Sequence, residues 1–195
     1  FKFSMPSLPG NHQIINASTA IAGIHVLKEK FHISLEQVDR ALRKTIWPGR
    51  LQKIHTPSRA KTRQGICPEI WPEIWPEIWI DGAHNSSGAE ALSLWAEENL
   101  GNDISLILGM TKNRNVVDFL TPFLGVAGHV YSVPVKSEPS SYTPERLAGL
   151  ADPVNIKVTP SESLEEALEF ARIRNKPIIV TGSLFLVADF LKSHS

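Results

Sequence analysis

The stretch from Trp79 to Gly88, Trp-Ile-Asp-Gly-Ala-His-Asn-Ser-Ser-Gly, constrains this chain more than any other. An apolar strand end (Ile78, Trp79, Ile80) delivers Asp81, a glycine and His84 within one tight turn. A helix follows, with Leu92, Trp95, Ala96 and Leu100 on one face at spacings of three and four. Strand, glycine turn and helix form the unit that sets polar side chains at the carboxyl edge of a parallel sheet, where open α/β folds bind ligands. Asp81 and His84 are therefore the first candidates for chemistry. The same residue types also serve as ordinary turn and cap residues, so the rest of the chain must decide.

From residue 79 onward the pattern repeats. Ile104 to Leu108 is an unbroken apolar run, as expected of a strand buried on both faces, and Gly109-Met110-Thr111-Lys112 is its exit loop. Val116 to Leu124 reads as a helix and His129 to Val135 as a strand. Tyr142 to Leu150 reads as a short helix opened by Thr143-Pro144, and Val154 to Val158 as a strand. Ser163 with Glu166 makes a capping box for a helix through Ala171. Pro177 to Val180 is a last core strand, Thr181-Gly182-Ser183 its exit turn, and Leu184 to Leu191 a closing helix. Alternating strands and helices predict an α/β, Rossmann-like, doubly wound and mainly parallel sheet of about six strands with helices on both faces. Right-handed crossovers would bring the turns at Asp81, Gly109 and Thr181 to one edge.

Two helices precede this unit. Phe1 to Ser7 alternates weakly, as a short strand would. Beyond Pro9-Gly10, residues Ile14, Ala17, Ile21, Ile24 and Phe31 keep helical spacing and predict a buried face. Ser34 and Gln37 form a capping box for a second helix carrying Leu35, Val38, Leu42 and Ile46. Trp47-Pro48-Gly49-Arg50 stops it, which marks a domain boundary, and Leu51 to His55 reads as a strand. Pro-Glu-Ile-Trp then occurs three times, at Pro68, Pro72 and Pro76. Proline excludes a helix there and a central strand for the first two copies, so the third copy supplies the working strand and Pro68 to Trp75 is expected outside the core.

Composition narrows the function classes. The 195 residues carry 20 basic and 20 acidic side chains, which gives no electrostatic footprint for nucleic acid or an anionic membrane. One cysteine, Cys67, excludes an internal disulfide framework and a cysteine metal site. No signal peptide or long apolar run is present, so a cytoplasmic protein is expected. The chain opens Phe-Lys-Phe-Ser without an initiator Met and reads as a piece of something longer. It contains no Gly-x-Gly-x-x-Gly after a strand, no Gly-x-x-x-x-Gly-Lys-Ser/Thr and no Gly-x-Ser-x-Gly. By spacing alone it is a ligand-binding α/β domain without phosphate machinery of its own.

Four motifs in order go further: Leu-Pro-Gly-Asn-His-Gln-Ile-Ile-Asn-Ala (8–17), Trp-Pro-Gly-Arg-Leu-Gln (47–52), Ile-Asp-Gly-Ala-His-Asn (80–85) and Thr-Gly-Ser-Leu (181–184). Together they resemble the folylpolyglutamate synthase and dihydrofolate synthase family, relatives of the muramyl amino-acid ligases. The resemblance spans essentially the whole chain. It implies that residues 1–46 are the tail of an ATP-binding domain, 47–50 a linker, and 51–195 the C-terminal ligase domain. A separate N-terminal ATPase part would hold the P-loop and most ligands of Mg2+.

The implied reaction activates the carboxylate of folate or dihydropteroate as an acyl phosphate using ATP, and the amine of L-glutamate then attacks. Asn16 would contact the adenine and Arg50 the phosphates. Asp81 would lie at the ribose side, and His84 and Ser183 would hold or orient the glutamate. No metal ligand is expected in this chain. The sequence departs from the family at Ser86 (usually Pro), at Lys112-Asn113-Arg114-Asn115 (usually an Asp-Lys-Asp type motif), at Phe185 (often Tyr) and in the triple repeat. Two other readings remain: a non-catalytic module that binds an amino acid or nucleotide, and a structural lid whose polar turns are only caps.

Overall fold

A computed structural model describes residues 2–27, 30, 32–54 and 76–194. Two helices, α1 (Asn11–Val26) and α2 (Leu35–Lys44), precede strand β1 (Gln52–Ile54). There follow β2 (Ile78–Ile80), α3 (Ser86–Leu100), β3 (Ile104–Leu108), α4 (Val116–Leu120), β4 (Ala127–Ser132), α5 (Pro144–Ala151), β5 (Val158–Pro160), α6 (Leu164–Ile173), β6 (Ile178–Thr181) and α7 (Leu184–Ser193). The sheet runs β1-β2-β6-β3-β4-β5. Among the described strands of the sheet only β1 is antiparallel, to β2; their other pairings are parallel. The expected six-stranded, mainly parallel sheet is present, and the third Pro-Glu-Ile-Trp copy does form β2.

Strand alternation builds two cores. Leu106, Leu108, Val130 and Ile179 face a core shared with α3, α4 and α5. Ile78, Ile80, Ile107, Tyr131, Ile178 and Val180 face the opposite core with α6 and α7. Both faces of β3 and β6 are thus covered, which is why their sequences read as unbroken apolar runs. On the first face Trp79 meets Trp95 edge-on, with ring centroids 4.6 Å apart. Since β6 arrives last in the chain yet lies between β2 and β3, the chain doubles back there and opens a crevice at the carboxyl ends of those strands.

Three local expectations are corrected. Residues 2–7 form no strand: the Ser4 N–H donates to Asp39 Oδ1 (2.6 Å) and the Ser7 N–H to the Leu42 carbonyl (2.9 Å), so α2 has taken the donors a strand would need. The strand expected at 154–158 starts only at Val158. Pro153 opens a 3-10 turn over Asp152–Val154, and Asn155 stands in the left-handed region at φ 56°. The face of α1 expected to be buried is not buried within the chain. Gln13 is its one buried residue, and Ile14, Ile15 and Val26 are exposed. An apolar groove lined by Phe3, Ile21, Ile24, Ile33, Leu35 and Val38 runs between α1 and α2. The first two repeat copies, Pro68 to Trp75, lie outside the described residues.

Candidate functional site

The three exit turns are stitched to one another at the carboxyl edge. The Gly182 N–H donates to the Ala83 carbonyl at 3.0 Å, and the Thr181 hydroxyl reaches the same oxygen at 3.4 Å. The Gly109 N–H in turn donates to the Thr181 carbonyl at 3.2 Å. Gly182 has φ +100°, and a Cβ there would stand 2.8 Å from the Gly109 carbonyl oxygen, so glycine is required by both backbone and space. Asp81, His84 and Ser183, far apart in sequence, thereby share one edge.

Asp81 is 4% exposed, and both its carboxylate oxygens are engaged. Oδ1 accepts the Ala83 N–H at 2.8 Å, closing an Asx turn, and Oδ2 accepts the Leu51 N–H at 2.9 Å. Burial pushes its pKa above the ordinary carboxylate value. The two N–H groups and the nearby positive charges of Arg50 and His12 oppose that shift without cancelling it. Asp81 thus fastens the 47–51 segment to the sheet. The fastening is completed by the Gly82 N–H, which donates to the Gly49 carbonyl at 2.8 Å.

The start of α1 joins the same cluster. A Cβ on Gly10, which has φ +99°, would stand 3.0 Å from Leu51 Cδ1, so the first turn of α1 lies directly on the linker. His12 feels both Asp81 and Arg50. Its pKa is lowered chiefly by burial, with Asp81 raising it and Arg50 lowering it further. His12 Nε2 lies 2.9 Å from Gln13 Nε2, and the Asn16 side-chain amide donates to Gln13 Oε1 at 3.1 Å. Asn16 is itself exposed. His12, Gln13, Asn16, Arg50 and Asp81 therefore form one polar seam between α1 and the sheet edge. His12 and Gln13 received no role from sequence, although they stand inside the first quoted motif. Their place in that motif was the one signal in the sequence; their burial and partners are not written there.

His84 and Ser183 form the other half of the edge. His84 Nδ1 lies 3.0 Å from the Gly82 carbonyl. A carbonyl only accepts, so Nδ1 carries a proton, and in the tautomer protonated there alone Nε2 is an acceptor. Ser183, 4% exposed, caps α7 by accepting the Phe185 N–H at 3.1 Å, which leaves its O–H free to donate. The capping reading of Ser183 is correct as far as it goes, but it uses only the lone pair. Asn85, not Asp81, caps α3, accepting the Gly88 N–H at 2.8 Å. Phe185 is exposed at the same corner. Among the described residues, no group of three or more His, Cys, Asp or Glu side chains could hold a metal ion. Nor is any described helix long and apolar enough to cross a membrane.

Residues 75–193 match the family described as dihydrofolate synthetase, C-terminal domain. A probable dihydrofolate synthetase of Schizosaccharomyces pombe is 25% identical over 97% of this chain and 44% of its own length. The dihydrofolate synthetase of Saccharomyces cerevisiae is 25% identical over 99% of this chain and 47% of its own. The chain thus spans less than half the length of these relatives. A solved structure of Mycobacterium tuberculosis folylpolyglutamate synthase complexed with ADP superposes on 97% of the chain, and on 41% of its own, with a TM-score of 0.77 at 21% identity. That likeness concerns the fold. The sheet, its carboxyl-edge site and the family match over most of the chain lead to one conclusion: the chain belongs to the dihydrofolate synthetase family and carries its C-terminal domain.

Proposed function

We propose that this chain is the C-terminal part of an ATP-dependent ligase, which joins L-glutamate to folate or dihydropteroate through an acyl phosphate, in the cytoplasm. In this reading residues 1–46 belong to the ATP-binding domain, 47–50 are the linker and 51–195 the ligase domain. One observation carries it: a polar seam built on the permanent charge of Arg50, with Asp81 and His12, and a pair of hydrogen-bonding groups (His84, Ser183) share one sheet edge. A phosphoryl-transfer site needs the first and an attacking amine needs the second.

The donor set fits a nucleotide. Arg50 supplies permanent positive charge for phosphate oxygens, and the exposed Asn16 amide, steadied by Gln13, offers donor and acceptor to a base. ATP, when bound, supplies the phosphoryl group that activates the folate carboxylate. Asp81 keeps Arg50 in place by gripping the adjacent Leu51 N–H. His84 Nε2, an acceptor, suits the glutamate amine and can take a proton from it as the amide bond forms. The Ser183 O–H donates to a glutamate oxygen. Mg2+ belongs in this reading to residues outside the chain.

The test is glutamate-dependent ADP release. These residues contain no P-loop, so the 195-residue chain assayed alone should be inert, since positioning and charge neutralisation supply most of the catalysis of phosphoryl transfer. A longer protein that includes the P-loop part should turn over and lose activity in His84→Ala. Turnover by the 195 residues alone would overturn this division of labour.

A further inference from the structure

Gln13 is the one buried residue of α1, 6% exposed, and it is polar. A glutamine carboxamide carries donors on one atom and lone pairs on the other, so it can bridge two neighbours only if they differ in sense. Gln13 Nε2 lies 2.9 Å from His12 Nε2, and Asn16 Nδ2 donates to Gln13 Oε1 at 3.1 Å.

These two bonds fix a direction. An amide nitrogen only donates, so His12 Nε2 accepts and the ring is neutral, with its proton on Nδ1. Burial is the largest influence on His12 and opposes its charging. Of the charged groups acting on it, Asp81 at the end of β2 favours a positive ring, and Arg50 of the linker opposes one. The first turn of α1 adds no acid. Gln13 thus turns its oxygen to Asn16, and Asn16 turns its nitrogen to Gln13. The second Asn16 N–H and its Oδ1 are left for a ligand, on an exposed side chain.

That pair is a donor beside an acceptor. An adenine edge offers the complement, the N6 amino donor beside the N7 acceptor, whereas guanine offers two acceptors, O6 and N7. A charged His12 would reverse every member of the row. Gln13 Oε1 would face the ring, Gln13 Nε2 would face Asn16 Oδ1, and Asn16 would present its NH2 group, which suits guanine. We propose that Gln13, oriented by His12, sets the sense of the Asn16 carboxamide and so selects an adenine nucleotide over a guanine nucleotide. His12 and Gln13 are positioning residues, acting through Asn16. The inference rests on the ligase reading for placing a nucleotide base at Asn16.

The test measures ADP and GDP binding by calorimetry in the longer, P-loop-containing protein. The ratio of the two affinities is the readout, because titration of the phosphates cancels in it. Wild type should prefer ADP by about tenfold or more, the scale of one well-matched bidentate base contact. The preference should shrink as pH falls through the titration of His12, followed by its ring NMR signals, and the neutral ring should carry its proton on Nδ1. Gln13→Met, apolar and similar in size, should lose most of the preference. Gln13→Glu keeps an acceptor toward Asn16 whatever the charge of His12, so it should keep the preference and lose its pH dependence. A purely structural Gln13 would tolerate Met better than Glu, and neither change would move the ratio. Equal affinity for ADP and GDP, a neutral His12 with its proton on Nε2, a wild-type ratio independent of pH, or an unaltered ratio in folded Gln13→Met each overturns the proposal. If Gln13→Met does not fold, the wild-type tautomer and pH dependence decide. A Gln13-dependent preference for ADP in a protein without ligase activity would sink the ligase reading alone. Ligation with a preference for adenine that Gln13→Met leaves untouched would sink this inference alone.

Discussion

The Leu51 N–H donates to Asp81 Oδ2 at 2.9 Å across 30 positions of sequence, and Leu51 makes that bond from the left-handed region, at φ 43°. A non-glycine residue holds such a conformation only where its surroundings fix it. Here they are the buried carboxylate on one side and α1 on the other. Asp81→Asn keeps one acceptor but turns an N–H donor toward Leu51 or Ala83. It should cost about 1–3 kcal/mol in urea denaturation, and Asp81→Ala more. Unchanged midpoints in both would show that the linker is held by something else.

The same carboxylate carries a pH signature. Its folded pKa is raised above the ordinary 3.8, so the folded chain holds the proton more tightly than the unfolded one. Asp81 therefore contributes stability below 3.8 and loses it as pH rises through its raised folded value. His12 and His129 run the other way. Both are lowered from 6.5, mainly by burial, so their contribution is present above 6.5 and is lost as pH falls toward their folded values. Denaturation midpoints should fall between pH 7.5 and 5.5 in wild type, and fall less in His12→Gln and in His129→Gln.

Gly49 and Gly101 separate two costs of a side chain. Both have positive φ, +77° and +86°, but a Cβ on Gly49 would stand 2.6 Å from Val187 Cγ1, while Gly101 has nothing within 4 Å. Gly101→Ala should lose about 1–2 kcal/mol for backbone conformation alone. Gly49→Ala should lose more, because Val187 is β-branched and buried and cannot swing away. Equal losses would show that the linker yields rather than the helix.

Legibility from sequence followed the strength of the physical signal. Ile104–Leu108 and Ile178–Thr181 were readable because strands covered on both faces need apolar residues throughout, and the capping box at Ser34 was readable because it is local chemistry. The strand at 154–158 was misplaced because Val154 and Ile156 look like strand residues, while Pro153 and the left-handed Asn155 set the path. Asp81 and Ser183 could be found as candidates, and the cap that Ser183 makes on Phe185 is local, but the partner of Asp81 could not be found. Leu51 reaches Asp81, and Thr181 reaches Ala83, only through sheet order, and no periodicity reveals that β6 inserts between β2 and β3. The seam through His12 and Gln13 was hidden for the same reason.

Ser183 allows capping and substrate contact to be told apart. Replacing an N-cap serine by glycine costs only a few tenths of a kcal/mol, whereas alanine costs about 0.5–2 kcal/mol. Ser183→Gly should therefore leave the denaturation midpoint of the chain nearly in place. In the longer, P-loop-containing protein it should still raise KM for glutamate, because the free O–H is gone. A normal KM in Ser183→Gly would reduce Ser183 to a cap.

The bare face of the N-terminal helices leads to a physical prediction about the chain on its own. Ile15, Val26, Ile46 and Trp47 are 69%, 79%, 87% and 60% exposed, and an apolar groove runs between α1 and α2. Apolar side chains exposed in such number favour association where they form a patch. The purified 195 residues should bind a hydrophobic dye such as ANS in native buffer, and their apparent size in light scattering should grow with concentration. The sheet domain's cores lie elsewhere, so Ile15→Lys/Ile46→Lys should reduce both signals while leaving the denaturation midpoint within about 0.5 kcal/mol, as is usual for exposed positions. Dye binding that persists in this variant would show that Ile15 and Ile46 are not part of the dye-binding surface.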